Sequence, residues 1–401
     1  MIDGVDYEMY FQVSDNDYIN GIKKTKSKLF SYYKKTEKEV KDQLLDEQQN
    51  SISDLEKTID KSKDVKEEFQ KMQESLQNKS EMDWNDQKKL QNFMERQQQY
   101  EKMMQQQTEK IQQNLKEQTK SQNKSLEDRK KEIEERLKEA KDLAKQEKLL
   151  DELKKLAEKL QKEELTEKLK KLTEENKQNE RSLERILELT KRFYVEQKAN
   201  QIKEKLDELA KKQEKLAEKE ENSSEKQKEL NNEFDDIKKE LNELDKDNKA
   251  LKRPMDLTKT DKDEKEVDQE QKEATDKLED SEQQNQQQES EDKKDSKSAA
   301  SKSQKSAAKK MKKMSGKMQE SLDAMSGGEE GEEEDIEALR AILENLLEFS
   351  FQQEDLMNDF SKINNSHPEF AKKLKNQHVL REYFEHIDDS LYTLSMRQPK
   401  I

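Results

Sequence analysis

The stretch RSLERILELTKRFYVEQKANQIKEKLDELA, residues 181–210, decides the fold of this chain. Its apolar residues recur mostly at helical spacing and form a face wider than the seam of a two-stranded coiled coil. They are Leu183, Ile186, Leu187, Phe193, Val195, Ile202, Leu206 and Leu209. The width of this face predicts a helix buried in a small antiparallel bundle. A cofactor-binding helix would show a similar stripe, but core packing is the favoured interpretation.

The composition of the whole chain also favours long helices over a compact domain. Of the 401 residues, 44% are charged and 28% are hydrophobic, whereas a compact domain is nearly half apolar. So few apolar side chains cannot fill one large core, which argues against a compact enzyme fold. Abundant Glu, Lys, Gln and Leu, with only 6 Gly and 3 Pro, predict a mainly α chain of long helices in coiled-coil or antiparallel-bundle packing.

Charge and cysteine content exclude several classes of function. The formal net charge is −15, whereas a nucleic-acid-binding protein usually has a basic surface, so we expect no nucleic-acid partner. Cysteine is absent, which excludes disulfides, thiolate metal sites and thiol nucleophiles. No apolar run reaches the length of a membrane span, and the first 30 residues lack the apolar core of a signal peptide. The chain as given is therefore expected to be soluble.

Residues 1–35 have the pattern of β-structure. Alternate positions are apolar in the segment VDYEMYFQV, at Val5, Tyr7, Met9, Phe11 and Val13. This period of two predicts a strand, and KLFSYY (residues 28–33) predicts a second one. A two-stranded ribbon alone is marginally stable. We therefore expect these strands to be the last of a β-domain that lies upstream in a longer protein.

The turn between these strands raises the question of a calcium site. Its acidic and amide side chains are Asp15, Asn16 and Asp17. Calcium needs six to eight oxygen ligands, so a solvated turn is the favoured interpretation.

Residues 36–254 are predicted to be a long helical coiled-coil or bundle region. Asp83, followed by Asp86, resembles a helix N-cap and predicts a new helix from Trp84. The seam of that helix is half polar, with Gln97, Gln107 and Asn114 among its members, which predicts loose packing or a position on one face of a bundle. The five-residue step from Leu160 to Leu165 breaks the a/d spacing and argues against one long two-stranded rod. Ser223 or Ser224 is expected to cap a further helix, which Pro254 ends.

Residues 255–296 are predicted to be an acidic flexible linker. The segment 257–295 has 15 acidic and 7 basic residues and few apolar ones. This composition is typical of mobile segments, with one weak helix expected near 262–280.

Residues 297–401 are predicted to form a C-terminal helical region. Its first helix is rich in lysine and has an apolar stripe at Met311, Met314, Met318, Leu322 and Met325. Such a helix could bind a membrane surface or a calmodulin-type partner. The favoured interpretation is that the stripe packs on a neighbouring helix and the lysines face acidic segments.

The last two helices of the chain are predicted to pair as an antiparallel hairpin. They have broad apolar faces, the first from Ile336 to Phe349 and the second from Phe370 to Leu394. His378, Glu382 and His386 share one face of the second helix, as zinc ligands would. Eight helical residues span roughly 12 Å, too far for all three to bind one ion, so a solvated surface is favoured.

Several segments together resemble a known bacterial family. They are YFQVSDNDYINGIKKTKSKLF, WNDQKKLQNFMERQQQYEKMM, ERSLERILELTKRFYVEQKANQI, LKRPMDL and EDIEALRAILENLLEFSFQQEDLM. The family consists of Gram-negative envelope proteins of unknown function, with N-terminal membrane spans, immunoglobulin-like β-domains and a long charged helical region. The resemblance implies that this chain is the C-terminal helical part of a membrane-anchored envelope protein, with the helical region in the periplasm. It supplies no catalytic residues.

No recognised catalytic motif is present, so the sequence predicts no catalytic, cofactor-binding or metal-binding residues. P-loop, G-x-G-x-x-G, G-x-S-x-G and H-E-x-x-H patterns are all missing. Asp245 and Asp247 have the spacing of an EF-hand loop, but its central Gly and terminal Glu are missing.

The favoured function is a non-enzymatic structural or protein-interaction scaffold. In this interpretation the chain has protein partners or associates with itself through helical seams, and it meets the membrane only through segments outside it. An adaptor or chaperone-like arm for envelope partners is the alternative, and an enzyme with an unrecognised site in the bundle is a third.

Overall fold

The structure, a computed structural model, is mainly α-helical and confirms the predicted fold class. It describes residues 1–14, 19, 23–77, 83–118, 124–143, 147–158, 162–218, 222–283, 291–325, 329–362 and 368–397. The strands in this part are β1 (Asp6–Met9), β2 (Gln12–Ser14), β3 (Lys24–Lys26) and β4 (Phe30–Tyr33). The helices are α1 (Glu37–Gln77), α2 (Trp84–Glu117), α3 (Lys124–Leu143), α4 (Glu147–Glu158), α5 (Lys162–Glu218), α6 (Ser224–Lys249), α7 (Asp261–Gln283), α8 (Glu291–Met325), α9 (Glu329–Lys362) and α10 (Pro368–Arg397). The chain forms two compact units, Met1–Leu322 and Asp323–Ile401.

The four strands form a single antiparallel hairpin that is interrupted in the middle. β1 pairs with β4 and β2 pairs with β3. Between the two ladders, the Phe11 and Ser27 backbones meet, with the Ser27 amide donating to the Phe11 carbonyl at 2.8 Å. At the base of the hairpin Gly4 has a positive φ of 76°, and a Cβ there would lie 2.9 Å from Thr36. A glycine is therefore needed where the hairpin meets the first helix.

Two helix starts in this unit are fixed by side-chain caps. The Asp83 carboxylate accepts from the Asp86 amide at 2.8 Å, and Asp86 accepts from the Asp83 amide in return. This capping box confirms the predicted start of α2 at Trp84. Ser223 accepts from the Lys226 amide and caps α6. These side chains satisfy amides that the first turn of a helix leaves without partners.

The first half of α5 is the centre of one bundle, in which it packs against α1, α3 and α4. Helix α1 runs antiparallel to α5, as shown by ion pairs of Lys66 with Glu180 and of Lys41 with Glu204. The Lys168–Glu152 pair sets α4 antiparallel to α5 as well. Two cores fill this arrangement, one with Phe193, Ile186 and Leu55 and the other with Phe93, Leu153 and Leu169. The separate helices α4 and α5 confirm that the chain here is not one long rod.

Helix α2 runs parallel to α5, a relation that the sequence did not reveal. Gln97 exchanges hydrogen bonds with Asn176, and Gln118 exchanges hydrogen bonds with Gln197. Partners in both pairs are 79 residues apart, so the two helices keep one register over three heptads. Of the two alternatives predicted for α2, loose packing or a position on one face of a bundle, the structure contradicts loose packing, because the seam is buried. Gln97 bonds to Asn176 and Asn114 donates to the Leu44 carbonyl, whereas the buried side-chain oxygen of Gln107 has no hydrogen-bond partner in the described residues.

The second half of α5 belongs to a second four-helix arrangement, with α6, α7 and α8. Lys205 binds Glu240 on α6, and Lys238 on α6 binds Asp268 on α7. Each of these pairs joins neighbouring helices that run in opposite directions. Helix α5, with 57 residues and a length of roughly 86 Å, is thus shared by both arrangements. The predicted end of α6 before Pro254 agrees with its last residue, Lys249.

The structure differs from the predicted linker over residues 261–283 of the range 255–296; residues 284–290 lie outside the described residues. Residues Asp261–Gln283 form α7, whose buried face includes Val267, Ala274 and Leu278. The predicted weak helix near 262–280 is therefore a packed part of the bundle. Several of its acidic residues pair with lysines of neighbouring helices: Asp263, Glu266 and Glu270 with α8, and Asp268 and Glu279 with α6. Helix α8 also belongs largely to the first unit, so the chain divides near residue 322 and not at residue 296.

The second unit contains the α9–α10 hairpin. Gln353 and Gln377 exchange two hydrogen bonds of 3.0 Å, and the rings of Phe349 and Phe384 lie 5.1 Å apart. Further along, the rings of Phe360 and Phe370 lie 5.4 Å apart. These contacts confirm the predicted antiparallel pair. The core between the helices is small, with Ile342, Ile387 and Leu394 as its buried members.

Candidate interaction surfaces

The metal motifs suggested by the sequence do not form a metal site in the described residues. His378 and His386 are both exposed on α10; the side chain of Glu382 and all of Asp15, Asn16 and Asp17 lie outside the described residues. Within the described part, no group of three His, Asp or Glu side chains is close enough to hold one ion.

The two aspartates with EF-hand spacing are parts of a helix, not of a calcium loop. Asp245 pairs with Lys249 at 2.5 Å, and Asp247 pairs with Lys198 at 2.8 Å. Burial works against the charge of Lys198, but the Asp247 carboxylate and the Tyr194 hydroxyl outweigh it and raise the pKa of Lys198. Both aspartates therefore serve as ion-pair partners of lysines, and Asp247 holds α6 against α5.

The lysine-rich helix α8 packs into the bundle, as the favoured interpretation predicted. Met311, Met314 and Leu322 are fully buried and Met318 is nearly so. On the polar side, Lys312 binds Glu214 at 2.7 Å and Lys317 binds Asp263 at 2.5 Å. The stripe and part of the basic face are thus used within the chain, which leaves no reason to assign α8 to a membrane surface.

Buried polar groups in the second bundle form a continuous amide network. Gln213 and Gln227 exchange hydrogen bonds of 2.7 and 3.0 Å, and Gln304 donates to Gln227 at 2.8 Å. Gln271 donates to Gln213 at 3.4 Å, so residues from α5, α6, α7 and α8 meet in one layer. All four glutamines are nearly inaccessible to solvent. Because amides bond to one another here, the layer fixes the register of the helices and has no group poised for catalysis.

A second buried polar contact joins α3 to α5. Arg129 lies 2.7 Å from the Glu196 carboxylate, and Glu196 is completely buried. Elsewhere in this unit, on α2, burial raises the pKa of the Tyr100 phenol to about 12. None of these residues lines the depression that lies between α6 and α7.

A shallow depression lies between α6 and α7. It has a volume of about 320 Å³ and is lined by residues that include Lys228, Asn231, Asp268 and Thr275. Two of these are already engaged, since Lys228 pairs with Glu279 and Asp268 pairs with Lys238. A shallow groove with paired charges is not a convincing enzyme site.

The surface of the α9–α10 hairpin, in contrast, exposes many large apolar side chains. Residues 37–325 expose only Val40 and Trp84 among the described large apolar side chains, whereas α9 and α10 expose nine. Eight of the nine form what we call the outer face: Ile336, Leu343, Leu347, Phe351, Met357, Leu374, Phe384 and Tyr392. The ninth is Val379. An apolar surface of this extent marks a site of interaction.

The outer face was partly visible in the sequence. The sequence predicts that α9 and α10 pair through their broad apolar faces, but a two-helix pair can bury only one side of each helix. The signal that could have revealed a second apolar side was the excess of apolar positions over what one seam needs.

The N-terminal hairpin also exposes apolar side chains. Phe11 and Val13 are 74% and 72% exposed, and Val5, Met9 and Phe30 are exposed to a smaller extent. Tyr7 is half-buried. The predicted apolar strand face is therefore present and is not covered by the helices. This surface is compatible with the expected upstream β-domain, which stays a prediction.

No helix in the described ranges is both long and apolar enough to cross a lipid bilayer. In comparisons with known proteins, no family model, no curated protein and no solved structure matches the chain.

Proposed function

We propose that this protein is a non-enzymatic scaffold that uses the outer face of the α9–α10 hairpin to bind protein. The observation that carries the proposal is the contrast between the two units. Helices of the first unit bury their apolar residues almost completely, whereas α9 and α10 expose nine large ones. Helical protein partners bind such surfaces by placing their own apolar stripes in the groove between two helices.

The first unit suits a supporting role. Buried glutamines pair across its helices in the Gln213–Gln227 layer, and its surface has many ion pairs between helices. Such pairing favours one defined packing of a long bundle over alternative ones. A bundle with a well-defined arrangement can present a binding surface without itself performing chemistry.

The resemblance to Gram-negative envelope proteins supplies the proposed location. We place the chain at the cell envelope, as a helical arm of a protein whose membrane anchor lies in segments outside it. The location is tested by fractionating cells that produce the full-length protein. Recovery of the protein in the cytosolic fraction alone would contradict it.

The binding role is tested by photo-crosslinking in living cells. A photoreactive amino acid in place of Leu347 should produce protein adducts, because Leu347 lies in the centre of the outer face and is exposed. The same amino acid in place of Asn242, which is exposed on α6, is the matched control and should produce none. Equal labelling at both positions, or none at residue 347, would refute the proposed surface.

A further inference from the structure

The apolar stripes of α9 and α10 lie on the same side of their hairpin. Each helical residue advances by roughly 100° around the axis. On α9, Ile342 points to α10. The side chains of Ile336, Leu343 and Leu347 are rotated from it by about 100–140° around the helix axis, in the sense in which the chain winds. On α10, Ile387 points to α9. The side chains of Phe384, Leu374 and Tyr392 are rotated from it by about 60–140° around the helix axis, in the same sense.

Because the two helices are antiparallel, equal rotations in the direction of the sequence bring both stripes to one side of the hairpin. Val379 lies about 80° in the opposite sense, on the other side. The outer face is thus one continuous surface made by both helices.

The outer stripe of α9 is self-complementary in charge. Exposed Arg340 lies seven residues before Leu347, and exposed Glu354 lies seven residues after it. If a second α9 packs antiparallel with Leu347 opposite Leu347, Arg340 of each copy meets Glu354 of the other. In the same register Leu343 meets Phe351. Apolar residues therefore meet in the middle, and opposite charges meet at both ends.

Helix α10 repeats this arrangement around Phe384. Exposed Arg381 and Asp388 lie on either side of Phe384, on the outer side of the helix. A second α10 packed antiparallel about this point brings Arg381 of one copy near Asp388 of the other. The two helices thus have separate centres of two-fold symmetry along their sequences.

The two centres lie at the same level of the hairpin. The register of α9 against α10 follows from the Gln353–Gln377 hydrogen bonds and the Phe349–Phe384 ring contact. In an antiparallel pair, each step back along α9 is a step forward along α10, so the two contacts place Leu347 beside residues 383–386. One two-fold axis can therefore pass through both centres. A random arrangement of charges would have no reason to place the two centres at the same level.

We propose that two copies of this chain associate through their outer faces, with α9 antiparallel to α9 and α10 antiparallel to α10, to form a four-helix bundle. This inference rests on the proposed binding role of the outer face and names its partner as a second copy of the chain. Each helix in such a bundle has antiparallel neighbours, as in bundles with short connections.

The exposed area is sufficient for a stable dimer. Buried aromatic side chains remove 150–250 Å² each from solvent, and the eight outer-face side chains are about half exposed. Covering them would bury about 600–700 Å² of each copy, close to the ~800 Å² per partner of standard interfaces. The aliphatic parts of the Arg340, Glu354 and Arg381 side chains would also be buried and would supply much of the remaining area.

The first experiment measures the mass of the purified full chain by analytical ultracentrifugation. We expect a concentration-dependent dimer, and we expect Leu347→Asp to weaken it by about a hundredfold or more, because it places two carboxylates at the axis. The matched control is Val379→Asp, at a similarly exposed apolar residue on the opposite side, which should leave the dimer unchanged. A monomer at all concentrations, or equal effects of the two variants, would overturn the proposal.

Charge exchange tests the register. Arg340→Glu and Glu354→Arg should each weaken the dimer, by roughly tenfold, because like charges then meet twice. The double variant with both changes should restore it, and so should a mixture of the two single variants. If the double variant is weaker than either single one, the antiparallel α9 register is wrong.

The absence of cysteine allows a direct test of proximity. In Leu347→Cys each copy has one thiol, and a short bismaleimide should join two copies in high yield, whereas Val379→Cys should not react in this way. The same pair of variants distinguishes self-association through the outer face from the more general proposal that this face binds protein. A monomeric chain whose residue 347 labels a different protein in cells would overturn self-association and retain the binding surface. A chain whose outer face is covered by its own first unit would stay monomeric and give no adduct, which would overturn both.

Discussion

Replacing Gln227 with leucine tests whether the buried amide layer holds the second bundle together. Gln227 is completely buried and takes part in four hydrogen bonds, with Gln213 in both directions, with Gln304 and with Asn231. Leucine is similar in size but can replace none of them. Gln304 keeps Asn222 as an acceptor and the Gln213 oxygen keeps Gln271 as a donor. The Gln213 amide nitrogen and the Asn231 oxygen, however, each lose the partner described here.

The expected loss follows from these two groups. A buried polar group without a partner costs about 1–3 kcal/mol, and Asn231 is only half-buried, so its contribution lies at the lower end. Burial of the leucine side chain returns roughly 1–2 kcal/mol. The net loss in the free energy of unfolding should be about 1–3 kcal/mol, which corresponds to local amide exchange faster by roughly tenfold to a hundredfold.

Hydrogen exchange followed by mass spectrometry measures this effect where it arises. Peptides of α6, α7 and α8 should exchange faster, while those of α9 and α10 should not change. Gln269→Leu is the matched control because Gln269 is exposed on α7, and it should change stability by no more than about 0.5 kcal/mol. In the double variant Gln213→Leu with Gln227→Leu, part of the loss should be recovered because the orphaned amide is removed. If Gln227→Leu is as stable as the unchanged chain, the network contributes nothing and the reasoning is wrong.

Three further predictions concern the first unit. Burial opposes the ionised forms of Asp263 and Glu270, but Lys317 and Lys310 outweigh it and hold the pKa of each carboxyl below its ordinary value. The two ionised carboxylates therefore contribute fully to stability above roughly pH 5. This contribution is lost as the pH falls through the lowered pKa values. Urea unfolding should show a decline below roughly pH 4 that is smaller in Asp263→Asn with Glu270→Gln. Phe193→Ala should lower the free energy of unfolding by about 3–5 kcal/mol, because Phe193 is buried in the core of the shared helix, whereas Trp84→Ala, at a 73% exposed side chain, should have little effect; similar losses in both would contradict the assigned core. Asp83→Ala should cost about 0.5–2 kcal/mol and speed amide exchange in the first turn of α2, and unchanged exchange there would show that the cap is not needed.

Local features of the fold could be predicted from the sequence because they depend on neighbouring residues. The start of α2 at Trp84 follows from Asp83 and Asp86, and the buried stripe of α8 follows from its methionine spacing. Long-range features could not be predicted. The parallel register of α2 and α5 depends on amide pairs 79 residues apart, which leave no periodic pattern in either helix.

Composition was misleading for residues 255–296. A segment such as 257–295, with 15 acidic residues, is mobile when its charges have no partners, but here lysines of α8 lie against part of it, as in the Lys310–Glu270 pair. The charge of a segment therefore does not decide its order unless the segment it packs on is known. For the candidate surface, the sequence revealed that α9 and α10 are strongly apolar. It could not separate the side that faces the hairpin partner from the side that remains exposed.

The sharing of α5 between two bundles sets an order of events during synthesis of the protein. Helices α1 and α2 leave the ribosome long before residues 162–218, against which α1 packs. At about 5–20 residues per second, the interval between completion of α1 and completion of α5 is roughly 7–28 s. Throughout this time Leu55, Ile59 and Phe93 lack their final surroundings. The nascent chain is thus a client for any holding factor near the ribosome, and a slow codon run before residue 218 would lengthen its exposure.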